Sequence, residues 1–228
     1  MSITPQRIYD LDIYAPENVV AEKARREIET GTYEIDEIKA TQEVLRPDLP
    51  VIELGAGIGV VSCYINRLLD DKKQHLAVEM HPDALEILKH NRKLNDCEFQ
   101  PYFGTLMYEG DTHLPELDAS QVEKMSSEWD PCHHAGLEGS SKQFTLRQLV
   151  EETGWEQFNL VADMEGMEMA MLKHDFSVIR ERAATVSLEI HPHAFGPRGA
   201  AWVIRTLEEA GLRLEAFSGC FAFRRPDA

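Results

Sequence analysis

The segment Glu53-Leu54-Gly55-Ala56-Gly57-Ile58-Gly59 sets three alternate glycines and one carboxylate directly behind the apolar pair Val51-Ile52. Glycine reaches backbone conformations closed to other residues and lets a ligand approach the main-chain amides. Between a strand and a helix, such a loop is a cofactor cradle. Glu79 ends the next apolar run, where a carboxylate can accept both hydroxyls of a ribose. A dinucleotide loop has the spacing G-x-G-x-x-G, and its third glycine would fall at position 60, which is Val60.

Charge separates the ligands further. Glu53 at the loop mouth repels a pyrophosphate and attracts a ligand that carries an ammonium and a sulfonium. S-adenosylmethionine is that ligand. Glu53, Gly55 and Gly57 are expected to hold its methionine part, with Gly59 closing the loop and Glu79 on the ribose. Gly104 and Thr105 are expected just past the third strand, at the adenine. Tyr33, with Glu34, is placed to fold over the methionine end.

The elements that must position these residues alternate along the chain. Residues 51–54, 76–78, 98–102, 158–162 and 184–190 read as short buried strands. Val61, Tyr64, Ile65 and Leu68 recur at helical spacing after the first of them. Pro82 suits the first position of a second helix, where its missing N–H is not needed. Thr145-x-x-Gln148 has the form of a capping box. Short helices are expected over 167–174 and 200–210. Ser218-Gly219 between 212–217 and 221–224 signals a closing antiparallel pair. The third strand is expected to stop at Gly104. Residues 1–46 form an expected N-terminal helical segment, and the acidic, His-containing stretch 107–143 an insertion or lid. Strands alternating with helices predict one α/β, Rossmann-like domain, 1–228, with a mostly parallel sheet covered on both faces.

Taken in order, several segments resemble the FkbM family of methyltransferases over about residues 28–195. They are Gly31-Thr32-Tyr33-Glu34, the glycine loop, Ala77-Val78-Glu79-Met80-His81-Pro82, and Leu88-Lys89-His90-Asn91 with Leu94-Asn95. Further on come Thr145-Leu146 with Leu149, Ala162-Asp163-Met164-Glu165-Gly166-Met167-Glu168, and Leu188-Glu189-Ile190-His191. The resemblance implies a class I methyltransferase fold of seven strands in the order 3-2-1-4-5-7-6, and O-methylation of a hydroxyl. Val161 stands where the family often carries a lysine, two residues before Asp163.

Methyl transfer from sulfur is an in-line displacement, so positioning supplies much of the rate, and a base near the acceptor proton helps. Asp163, at the end of the fourth strand, is the first candidate to orient or deprotonate the acceptor. Glu165 follows it. His191, at the end of the fifth strand, is a second candidate base because imidazole titrates near neutrality. Asp163, Glu189, His191 and His193 could converge, but their spacing is not that of a metal site, and no metal is expected. Cys132-His133-His134 is read as an exposed loop.

The chain has 228 residues, 43% hydrophobic and 28% charged, with a net charge of −17. That acidity disfavours nucleic acid. The four cysteines show no paired spacing. No apolar run suggests a membrane span or a secretory leader, so a cytoplasmic location and a small-molecule acceptor, a sugar or a secondary metabolite, are expected. Oligomeric state is not legible. The competing functions are a nicotinamide-dependent oxidoreductase and a ligand-binding module without catalysis.

Overall fold

Val51–Leu54 is buried on both faces, and that decides the architecture. Ile52 and Leu54 enter one apolar core, while Val51 enters another on the opposite side. A strand with no solvent face needs strands beside it and helices above and below. The computed structural model describes residues 5–108 and 142–226. In chain order its first half runs β1 (Gln6–Ile8), β2 (Leu11–Ile13), α1 (Glu22–Thr30), α2 (Ile35–Val44), β3 (Val51–Leu54), α3 (Val60–Leu68), β4 (His75–Glu79), α4 (Pro82–Leu94) and β5 (Gln100–Leu106). The second half runs β6 (Lys142–Phe144), α5 (Leu146–Thr153), β7 (Phe158–Ala162), α6 (Glu168–Arg182), β8 (Ala183–Leu188), α7 (Pro192–Glu209), β9 (Arg213–Phe217) and β10 (Phe221–Arg224).

The main sheet has eight strands in the order β6-β5-β4-β3-β7-β8-β10-β9. All neighbours are parallel except β10, which is antiparallel to β8 and β9. Without β6 this is the expected seven-strand order. The chain moves outward from β3 to β4 and β5, then returns to β7 on the other side. The switch point therefore lies between the carboxyl ends of β3 and β7, where open α/β sheets bind ligands. One face is packed by residues of α5, α6 and α7, among them Leu149, Leu172 and Leu207. The other is packed by residues of α1 to α4, such as Ile28, Val44, Ile65 and Leu88.

Several boundaries differ from expectation for identifiable reasons. Gly104 does not end the third strand. β5 runs through it and pairs Gly104, Thr105 and Leu106 with β6. A Cβ at Gly104 would lie 2.5 Å from the Phe144 ring and 2.6 Å from the Lys142 carbonyl oxygen, so glycine there admits the extra edge strand. The helix expected over 167–174 continues past a kink at Asp175, whose carboxylate accepts from the Tyr108 hydroxyl and the Leu146 amide, each at 2.8 Å. The helix expected from residue 200 is preceded by a turn beginning at Pro192, broken at Gly196 with φ +71. The N-terminal segment holds α1 and α2, but the β1–β2 hairpin precedes them. Most of 107–143, with Cys132-His133-His134, lies outside the described residues. The expected capping box at Thr145 and Gln148 is formed in both directions. Among the described residues no helix is long and apolar enough to cross a membrane.

Asn91 of α4 and its C-cap Asn95 clamp the hairpin to the sheet side that carries the glycine loop. Asn91, fully buried, accepts from the Tyr14 amide at 2.7 Å and donates to the Ile58 carbonyl at 2.9 Å. Asn95 accepts from the Asp12 amide and donates to its carbonyl. Removing the Asn91 amide strands main-chain groups in a dry site, so Asn91→Ala should cost about 2–3 kcal/mol in urea unfolding. A loss below about 0.5 kcal/mol would show that this clamp does not hold the loop.

Candidate functional site

The site grows from a contact that only glycine allows. Gly55 follows Leu54 with φ +88, and a Cβ there would stand 1.8 Å from the Asp163 carbonyl oxygen. The Asp163 amide donates in turn to the Leu54 carbonyl at 2.9 Å. The loops after β3 and β7 thus touch main chain to main chain at the switch point. Gly57, at φ +52, has nothing within 4 Å of its missing Cβ, which leaves its surface open to a ligand. Gly59 starts α3 and lies against Leu88.

Glu79 organises this loop from the neighbouring strand end. Its Oε2 accepts from the Gly57 amide at 2.7 Å and its Oε1 from the His81 amide at 2.6 Å. Burial pushes its pKa up to about 7 against the pull of these amide hydrogen bonds. Thr105 lies beside the same strand end, with its hydroxyl 4.0 Å from the Met80 sulfur. It sits within β5 and not past it, as does Gly104, whose position is explained by β6. Glu53 differs more from expectation. It is buried, and its Oε2 bonds Nε2 of the equally buried His75 at 2.8 Å. The carboxylate expected at the loop mouth is therefore already engaged between β3 and β4.

The acid at the mouth comes from elsewhere. Glu34 and Glu37, one turn apart at the start of α2, bring carboxylate oxygens within 4.8 Å of each other and of Asp163. Glu34 sits at the N-cap with φ +54, an uncommon conformation for a residue with a side chain. Burial first, then the charge of Glu189, pushes Glu34 up to about 7. Burial and Glu34 raise Glu37 well above the carboxylate range. Tyr33 joins this group: burial and Glu34 drive its phenol pKa well up, with a further contribution from Asp163. Glu37 was missed in the sequence, although its spacing from Glu34 puts both on one helix face.

A second cluster surrounds His191. Its Nδ1 lies 2.7 Å from Glu168 Oε1, and its Nε2 lies 3.2 Å from Glu165 Oε1, 3.4 Å from Asp163 Oδ1 and 3.7 Å from Glu189 Oε1. Burial alone would lower the imidazole pKa. The hydrogen bonds and charges of Glu165 and Glu168, with the charge of Asp163, outweigh it and raise the value to about 11. His191 is therefore a held cation at neutral pH and not the free base its residue type suggests. Asp163 moves the other way from an ordinary carboxylate: burial, then Glu165 and Glu189, push it well up. Asp163, Glu165 and His191 are brought together as expected. His193 meets the His191 ring edge-on.

Three-dimensional relatives match this frame. No family model matches the chain, and no curated protein does. A methyltransferase from Pyrococcus furiosus superimposes with a TM-score of 0.52 at 11% identity, covering 95% of this chain and 90% of its own. The METTL16 methyltransferase domain does so with a TM-score of 0.51 at 13% identity, covering 95% and 74%. The chain has the Rossmann-like methyltransferase fold.

The site makes the free protein sensitive to alkali. Glu79 has a folded pKa of about 7 against 4.5, so between those values the folded form holds the extra proton and stability falls as pH rises. His191, raised from 6.5 to about 11, stabilises fully below 6.5 and loses that contribution as pH climbs toward 11. Both act in one direction, and Glu79 alone is worth on the order of 3 kcal/mol. The melting temperature of ligand-free protein should fall between pH 5 and pH 8. In Glu79→Gln that fall should shrink; an unchanged profile would contradict the assignment.

Proposed function

We propose that the chain is an S-adenosylmethionine-dependent methyltransferase that O-methylates a hydroxyl of a small molecule. The observation that carries this reading is the acid nest of Glu34, Glu37 and Asp163 beside the Gly55–Gly59 loop. It suits the ammonium and sulfonium of the cofactor and opposes a pyrophosphate. The role first given to Glu53 passes to these three residues. Glu79 accepts the ribose hydroxyls while its other lone pairs keep the loop amides. The resemblance to the FkbM family supports the same acceptor chemistry.

In the transfer, the acceptor oxygen attacks the methyl carbon, the carbon–sulfur bond breaks, and the sulfur keeps the electron pair. S-adenosylhomocysteine leaves. Asp163 takes the hydroxyl proton, a task suited by its raised pKa. The His191 cation, held by Glu165 and Glu168, fixes the carboxylate that does so. The net charge of −17 argues against a nucleic-acid acceptor.

Calorimetric titration tests the cofactor site. Glu79→Ala should weaken S-adenosylmethionine binding at least about tenfold, the loss of a pair of hydrogen bonds to a charged group. Because the ionised carboxylate accepts the ribose hydroxyls, wild-type affinity should rise about tenfold from pH 6 to pH 8 through the Glu79 pKa near 7. An affinity flat with pH and unmoved in Glu79→Ala would remove the ribose assignment. Once an acceptor is found, Asp163→Asn should lower turnover by about 100-fold or more. A loss under tenfold would leave Asp163 without a chemical role.

A further inference from the structure

We propose that Asp163, Glu165 and His191 form a site for a divalent cation of the manganese or magnesium class. Their ligand atoms lie within 4.8 Å of one another. Around His191 Nε2 the separations are 3.2 Å to Glu165 and 3.4 Å to Asp163. Cation–ligand bonds of about 2.0–2.2 Å put neighbouring ligand atoms roughly 3 Å apart, so these separations match edges of one coordination shell. Two carboxylates and one imidazole form a hard donor set with oxygen in the majority, which suits such an ion better than a thiophilic one.

A second observation points to a ligand. Asp163 Oδ1, Glu165 Oε2 and Glu168 Oε2 are shielded from water and have no hydrogen-bond partner. The Glu168 side chain is fully buried against His191. Among the described residues, His191 is the only positive partner of these carboxylates. Buried acceptors without donors are costly, and one imidazole ring faces four acids here. A divalent cation on His191 Nε2 would bring its positive charge to the Asp163 and Glu165 carboxylates, whose Oδ1 and Oε2 lack a hydrogen-bond partner.

The outer shell is already built. Glu168 holds Nδ1 at 2.7 Å and is itself anchored by the Gly166 amide at 3.2 Å. A carboxylate on one imidazole nitrogen fixes the tautomer that presents the other to a cation. Glu165 reaches the centre from a left-handed residue, φ +51, followed by Gly166 at φ +104. An ion held by Asp163 and Glu165 would polarise the acceptor oxygen and so ease loss of the proton that Asp163 receives.

The site does not need S-adenosylmethionine to be tested. Full-length protein dialysed against EDTA is titrated with manganese(II) chloride, and free manganese is read by electron paramagnetic resonance. One ion per chain should bind. Glu165→Gln should weaken it at least about tenfold, and Glu168→Gln about 10- to 100-fold through the outer shell. Melting curves of both variants without metal show that they fold, and Glu165, partly exposed, tolerates the change best. Wild-type protein that leaves the manganese free would overturn the site. So would two folded variants that bind as wild type does, because the ion would then sit on acidic surface elsewhere. Neither result bears on cofactor binding, which is measured separately.

Discussion

The carboxyl end of this sheet is arranged around an excess of buried and half-buried acidic groups. Asp163, Glu165, Glu168 and Glu189 surround one imidazole, and Glu34 and Glu37 approach from α2. Burial first, and then the neighbouring carboxylates, raise the pKa values of Asp163, Glu34, Glu37 and Glu189, and the acids around His191 raise its own. A protein that keeps this arrangement gives up stability in the free state. A bound cation would recover it, so the electrostatics favour a positively charged ligand.

The backbone makes the crowding possible. Strands β3 and β7 are parallel neighbours whose ends lie side by side because strand order switches from one side of β3 to the other, and Gly55 lets their loops meet without a side chain between. Glu79 then stiffens the glycine loop through its amides while remaining at the next strand end. Asn91 ties the same loop to the N-terminal segment, which links the distant β1–β2 pair to the glycine-loop side of the sheet.

Much of this was legible in the sequence, and the limits have physical causes. The strand Phe158–Ala162 and the Thr145 capping box are local signals, a dense apolar run and a reciprocal hydrogen-bond pair, and both appear as expected. The glycine loop and the clustering of Asp163, Glu165 and His191 follow from strand ends meeting in a parallel sheet. Non-local partners were not legible. Gly104 reads as a stop, but a strand more than 30 residues later pairs with it. Glu53 reads as a ligand, but the start of the next strand brings His75 to it. Glu37 gave no signal of its own, but α2 packs against β8 and Glu37 is buried there. The identity of His191 suggested a neutral base; only its four carboxylate neighbours reveal a cation.

The central claim is that charge at the switch point chooses S-adenosylmethionine over a dinucleotide. Purified protein, freed of carried-over ligand, should be titrated by calorimetry with S-adenosylmethionine and in parallel with NAD. Saturable binding of the first at micromolar affinity and no heat from the second is the predicted result. Silence from S-adenosylmethionine, or saturable heat from NAD, would contradict the account.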